Sequence, residues 1–295
     1  MLVSKETILT YENEHGLSLS LAPLTDFFLV SCEETIDNSL NSQKLRYLDG
    51  ENFDNSTLDP RHIEITGFFN TTTNRREMDR TLKRIFNMGL EGKLTYTRTS
   101  GDIDFNIMCR VEELPEVVFR ENRVEFTINL VCFNPYWRAA PVTESISTIN
   151  KLGKFPLVIP IGEKFVFGYR AQTFRTTFDN AGDAQAGAVY SLKAVGGTVT
   201  NPSITHENSM NTLKIFQTLQ DGEGIEVTSF PDYVGIIINK RDGSRINGMP
   251  FLTDETKRRF FMLDFGKNTI SYSADVNTSN LNVSAAYTPL YLEVF

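Results

Sequence analysis

The sequence predicts a mainly β protein with one α-helix in its N-terminal domain, followed by an all-β C-terminal domain. Three observations carry that reading. The first half contains runs in which apolar and polar residues alternate with period two, as half-buried strands do. Residues 75–88 alone hold a helical period. The second half is a succession of short apolar runs divided by turn signals, a pattern that predicts a sandwich.

Taken in order, LSLSL (17–21), HIEIT (62–66), KLTYT (93–97), IDFNIMCRV (103–111) and VEFTINLVC (124–132) are the strand candidates. In the last two, Ile103, Phe105, Ile107, Cys109 and Val111, then Val124, Phe126, Ile128 and Leu130, fall on one face. The stretch between them, EELPEVVFREN, reads as a bend, because its proline suits an edge or a turn. On the helix, Met78, Leu82, Ile85 and Phe86 form an apolar stripe and are the candidate core positions. Asn74 with Glu77 could make a capping box, and Gly89 is placed to end the helix in the left-handed conformation.

Residues 33–60 differ in character. They are rich in Asn, Asp and Ser and offer few apolar side chains to bury, which predicts a long surface loop or extended hairpin. This is the candidate inter-subunit arm, with Leu45, Tyr47, Leu48 and Phe53 as its contact residues.

Pro135, Pro141 and the small residues around them break the strand pattern. The expected organisation is therefore an N-terminal domain over 1–138, a linker over 139–150 and a C-terminal domain over 151–295. In that last domain Asp221-Gly222, Asp242-Gly243 and Asn247-Gly248 are hairpin signals.

Composition narrows the function classes. At 295 residues, with 40% apolar and 22% charged residues, the chain can fold as two domains with separate cores. It has no apolar run of the length that crosses a bilayer, so no membrane insertion is expected. Its start, MLVSKETILTYENE, lacks a secretory signal, so folding in a cytosol, or export by another route, is expected. The net charge is -8, and most of the acidic excess lies in residues 1–138. Such a surface repels phosphate, so sequence-specific binding of nucleic acid is not expected. The three cysteines, Cys32, Cys109 and Cys132, are widely spaced and read as small buried hydrophobes.

Catalytic constellations are thin. Of three histidines, His15 and His206 lie in polar turn-like stretches, where an exposed side chain is the default. His62 shares a strand face with Glu64, but two ligands without a third are weak evidence for a metal. Asp102 and Asp104, about 7 Å apart on one strand face, are better explained as a solvated edge. The glycine stretches GGTV and DGEG read as turns. No enzyme activity, catalytic residue, metal or cofactor is expected. A sandwich could bind glycans, but the only tryptophan, Trp137, lies at the domain boundary and not in the second half.

Two stretches carry a family resemblance. The first is the amphipathic helix followed by GKLTYTR and IMCRVEELPEVVFRENRVEFTINLVCFNPYW; the second is DGEGIEVTSF, YVGIIINKRDGSRINGMPFL and FFMLDFGKNTISYSA, with Leu263, Gly266 and Asn268 in a late turn. Together they resemble the siphophage distal tail protein family, the tail-tip hub also found in prophages and phage-tail-like bacteriocins. The resemblance implies a ring-forming N-terminal split barrel or β-sandwich and a galectin-like C-terminal β-sandwich. It implies a homohexamer in the virion, at the tail tip, synthesised in the host cytoplasm. The implied partners are a tail tube protein, a tail-tip protein of the tail-associated lysin kind, and a receptor-binding or baseplate protein. The alternative is a carbohydrate-binding adhesin acting through the C-terminal sandwich.

Overall fold

The computed structural model describes the chain except for residues 1–6, 23–24, 46–48, 71–74, 99–103, 121–122, 148, 152–167, 171–173, 254–258 and 295. The chain forms two compact units. One comprises Met1–Ala140 with Tyr291–Phe295, the other Pro141–Leu290. The segment Tyr291–Phe295 thus packs with the first unit, although it follows the second in sequence.

The first unit contains β1 (Thr7–Asn13), β2 (Ser18–Leu21), β3 (Phe27–Thr35), β4 (Asn38–Lys44), β5 (Glu51–Leu58) and β6 (Arg61–Asn70). After these come α1 (Arg75–Ile85), β7 (Glu91–Arg98), β8 (Asp104–Phe119), β9 (Arg123–Cys132) and the short β10 (Trp137–Arg138). Seven strands pair in the order β2-β1-β7-β8-β9-β6-β3, and each neighbouring pair is antiparallel. Alternation along β9 buries Val124, Phe126, Ile128, Leu130 and Cys132. On β8, Ile107, Cys109 and Val111 are buried and Phe105 is half-buried, while Ile103 lies outside the described residues.

α1 presents Leu82, Ile85 and the following Phe86 to this core, with Met78 packed at its margin. Phe86 stacks on Tyr11 with ring centroids 4.2 Å apart. Gly92 makes room for that stack, because a Cβ there would stand 2.3 Å from the Tyr11 ring. The helix ends earlier than the periodicity suggests. The Asn13 amide caps the Ile85 carbonyl, and the Asn87 side chain accepts the Gly89 amide at 2.9 Å. Gly89 is therefore not the left-handed terminator expected of it, and the expected cap, Asn74, is outside the described residues.

A second difference concerns Pro115. The stretch read as a bend is the continuation of β8, whose register against β9 slips between Val111 and Glu113 and between Glu113 and Glu116. A bulged strand accommodates a residue without an N–H, so proline does not break it.

The second unit has strands β11 (Val142–Ser145), β12 (Ile149–Lys151), β13 (Gly168–Arg170), β14 (Arg175–Asn180), β15 (Ala188–Ala194), β16 (Val199–His206) and β17 (Asn211–Lys214). They are followed by β18 (Thr218–Leu219), β19 (Gly224–Ser229), β20 (Val234–Asn239), β21 (Arg245–Asn247), β22 (Gly266–Val276) and β23 (Leu281–Tyr287). One sheet runs β11-β23-β15-β19-β20-β21, and a second runs β14-β22-β16-β17, with β18 on β16. Leu192, Ile225 and Val283 of the first share one core with Ile204, Leu213 and Ile270 of the second. Val142–Ser145, within the stretch read as a linker, pair with β23.

One of the three hairpin signals holds: Asp242-Gly243, with Gly243 at φ +85°, joins the paired β20 and β21, whereas Asp221-Gly222, with Gly222 at φ +89°, turns the chain from β18 into β19, which belong to different sheets. Asn247-Gly248 does not form a hairpin. Gly248 has φ −88° and leads into a 3-10 turn, Met249–Phe251. Its lack of a side chain is needed for close approach, since a Cβ would meet Ile236 at 2.3 Å. His206, expected to be exposed, is buried. Its Nε2 lies 3.0 Å from Asn268 Oδ1 and its Nδ1 2.8 Å from Ser209 Oγ. Asn268 Nδ2 donates to the carbonyls of Asp264 and Gly266, both at 2.8 Å, so its oxygen faces the ring and His206 Nε2 carries the proton.

Candidate assembly surface

The polar stretch 33–60 folds as an extension of the main sheet. β3 and β6 pair along their length, with Thr35 opposite His62. Beyond them the chain continues as β4 and β5, which pair only with each other among the described residues. Short links at Ile36–Asp37 and Asp59–Pro60 join the two ribbons, and Asp59 N–H donates to the Asp37 carbonyl at 2.9 Å. We call β4–β5 the arm.

Every described side chain of β4 is exposed, as is nearly all of β5. Leu40 is 67% and Phe53 64% exposed, whereas Leu45 is half-buried. Tyr47 and Leu48 lie outside the described residues. The arm is held by its ladder and by polar pairs across it. Asn41 Nδ2 donates to Asn55 Oδ1 at 2.7 Å, and Ser39 Oγ donates to Asp59. A two-stranded ribbon with no buried face gains little stability in water, so this one depends on its root.

The root is a buried ion pair. Arg61, at the start of β6, is 1% exposed and donates to Glu34 near the end of β3. It also donates to the Pro135 carbonyl at 2.7 Å and to the Leu292 carbonyl at 2.5 Å. Glu34 accepts a further hydrogen bond from Trp137 Nε1 at 3.1 Å. Burial pushes the Glu34 carboxyl above the usual carboxylate range, against the opposing pull of Arg61 and Trp137. A cleft at this root is lined by Cys32, Glu33, Glu34, Ile36, Arg61 and residues 292–293.

The remaining chemical candidates do not converge. His62 Nδ1 lies 3.0 Å from Glu112, across the sheet surface, and both side chains are about half exposed. No group of three metal-ligating side chains comes together among the described residues. Asp104 is exposed at the start of β8, and Asp102 lies outside the described residues. Trp137 is fully buried and cannot serve as a stacking platform for a sugar. The three cysteines are free and buried; hydrogen bonding to Cys132, burial and neighbouring charge all push the Cys109 thiol up. The root clamp was not apparent from the sequence, because pairing Glu34 with Arg61 requires knowing how β3 and β6 lie together.

Comparison with known proteins bears on this arrangement. Residues 14–132 match the family model described as the phage tail protein RIFT-related domain. No curated protein sequence matches the chain. Among solved structures, the chain is similar to the Dit protein of phage SPP1, described as a paradigm of the hub adsorption apparatus in phages infecting Gram-positive bacteria. The two are 12% identical over 96% of this chain and 99% of that one, with a TM-score of 0.65. It is also similar to a chain of the phage P2 baseplate in its Ca-activated conformation, at 10% identity over 98% and 99% of the two chains, with a TM-score of 0.47.

Proposed function

We infer, from the match of residues 14–132 to the phage tail protein RIFT-related domain, a structural subunit of a siphophage-type tail tip that works within a multi-protein assembly of the virion. The observation that carries the reading is the family match itself, which spans β3, the arm, β6, α1 and β7–β9. It is supported by the fold shared with the SPP1 Dit protein.

In this reading the subunit forms a homohexameric ring, and the arm reaches an adjacent copy. Repeated head-to-tail contacts of that kind close into a ring when their rotation closes. An exposed ribbon offers directional main-chain hydrogen bonds at its edges, with Leu40 and Phe53 supplying apolar contact. The ring joins the tail tube protein to a tail-tip protein and to receptor-binding or baseplate proteins. The subunit performs no catalysis, and its side chains serve cores and contacts. The acidic first unit would line a channel through which DNA slides without adhering, a point that a measured or calculated lumen potential decides. A lumen lined mainly by Lys and Arg would refute it.

The test is the mass of the purified protein, alone and with a cognate tail-tip protein, beside images of the particles. Six-fold rings that disappear when residues 40–55 are replaced by a short turn support the reading, provided the variant subunit stays folded. Normal rings without the arm would remove its assigned role.

A further inference from the structure

We propose that Cys109 and Cys132 are a modification site: a small-molecule disulfide oxidises them, in the folded subunit, to a disulfide bond between β8 and β9. The inference concerns the first unit alone and does not depend on what the subunit assembles with.

Register brings the two residues together. Arg110 of β8 stands opposite Val131 of β9, and continuing that antiparallel pairing by one residue sets Cys109 opposite Cys132. Both side chains are buried in the core of the first unit, so they leave the sheet on the same face. Opposed residues of this kind have Cα atoms about 4.5–5.5 Å apart, inside the range of about 4.4–6.8 Å that disulfides span. The thiols already meet. The Cys109 side chain is hydrogen-bonded to that of Cys132, and its Sγ donates to the Gly92 carbonyl at 3.6 Å. Closing the bond therefore needs a small approach of two sulfurs and no rearrangement of the strands. Cys32, by contrast, stands opposite Ile65 of β6 and faces no thiol across its ladder.

The step balances as two thiol–disulfide exchanges. One cysteine, as thiolate, attacks a sulfur of the added disulfide, joins to it and expels a thiolate. The second cysteine then attacks the protein sulfur of that mixed disulfide and expels the other half. Two protein thiols are oxidised, the added disulfide is reduced to two small thiols, and those carry away both protons. Hydrogen bonding to Cys132 and burial keep the Cys109 thiol protonated, so exchange in the closed core is slow and the pair stays reduced until an oxidant is supplied.

The position gives the bond a consequence. On its other side Cys132 stands opposite Arg61, and Cys109 stands opposite Gly92, which faces Asn13. The bond thus joins the middle of the row of residues that runs across the sheet to the root of the arm. It also lies just before Val111, beyond which the register of β8 slips. A covalent tie there fixes that register and braces the platform from which the arm leaves.

The experiment uses the full chain, purified under reductant and then incubated, still folded, with glutathione disulfide. A second sample is refolded from denaturant with the same reagent, so that access does not limit the reaction. Remaining thiols are blocked with N-ethylmaleimide, and the digest is mapped by mass without reduction. A peptide pair joined through Cys109 and Cys132 should dominate in both samples and vanish on reduction. The bond closes the loop from Cys109 to Cys132 in the unfolded chain. The first unit, followed by Trp137 fluorescence, should therefore melt about 10 °C above its reduced form. In Cys109→Ala and Cys132→Ala the same treatment should leave the melting point where it was. No link, a link through Cys32, glutathione left on either thiol of the pair, or a linked form that melts below the reduced one would overturn the proposal. A link that appears only on refolding would overturn it as well, since the folded subunit would then not take the modification.

Discussion

The side-chain amide of Asn13, in β1, donates to the main-chain carbonyl of Ile85 at the end of α1, over 3.0 Å and in a buried setting. The same side chain accepts the amides of His15 at 3.1 Å and Leu17 at 3.0 Å, which shape the turn between β1 and β2. One residue thus closes a helix and a hairpin together. Asn13→Ala strands a buried carbonyl and two turn amides and should destabilise the first unit by about 1–3 kcal/mol. The protein's only tryptophan, Trp137, lies in that unit, so denaturant unfolding followed by its fluorescence checks the shift.

Tyr11 gives the opposite expectation. Its hydroxyl is buried and finds no hydrogen-bond partner, and burial pushes its pKa far up. Tyr11→Phe keeps the stack on Phe86 and removes an orphaned polar group, so it should be neutral or stabilise by up to about 1 kcal/mol. Gly92→Ala, beneath the same ring, should instead destabilise by about 1–3 kcal/mol through overpacking. A thermal melt in which both variants fall below the parent by similar amounts would count against this account of the pair.

Leu82 lies on the buried face of α1 and is fully buried. Leu82→Asp places a carboxylate there with no partner and should cost about 3–5 kcal/mol. A variant that melts with the parent would show that the helix contributes nothing to the core of the first unit.

What the sequence revealed and what it hid follow from the range of the interactions involved. The faces of β8 and β9 were legible because burial imposes period two on the residues themselves, from Val124 to Leu130. The apolar stripe of α1 was legible for the same reason. Its end was not, since the cap comes from Asn13, far upstream, and not from the local glycine. His206 looked exposed because its neighbours are polar, yet its partner Asn268 arrives from another strand. Pro115 looked like a break because the bulge that tolerates it depends on the register against β9. The arm was visible as a stretch with nothing to bury. The Glu34–Arg61 clamp at its root was invisible, because it exists only once β3 and β6 are side by side.

The buried turn around Asn268 offers the most direct probe of the second unit. Its amide donates to the carbonyls of Asp264 and Gly266, and its oxygen accepts from the Asp264 amide at 2.8 Å and faces His206 Nε2. Gly266, at φ +74°, lets the chain reverse there. Asn268→Ala leaves these groups without partners inside the core and should destabilise the second unit by about 2–4 kcal/mol. Asn268→Asp keeps the acceptor for His206 but replaces two donors with a charge facing two carbonyls, and should be at least as harmful. Calorimetric unfolding of the full chain measures both. His206→Phe removes the donor to Asn268 and the acceptor for Ser209 but can keep the stack on Phe261, now at 5.4 Å, so its loss should be smaller than that of Asn268→Ala. If the order is reversed, with the histidine variant the weaker, the turn is organised by the imidazole and not by the asparagine.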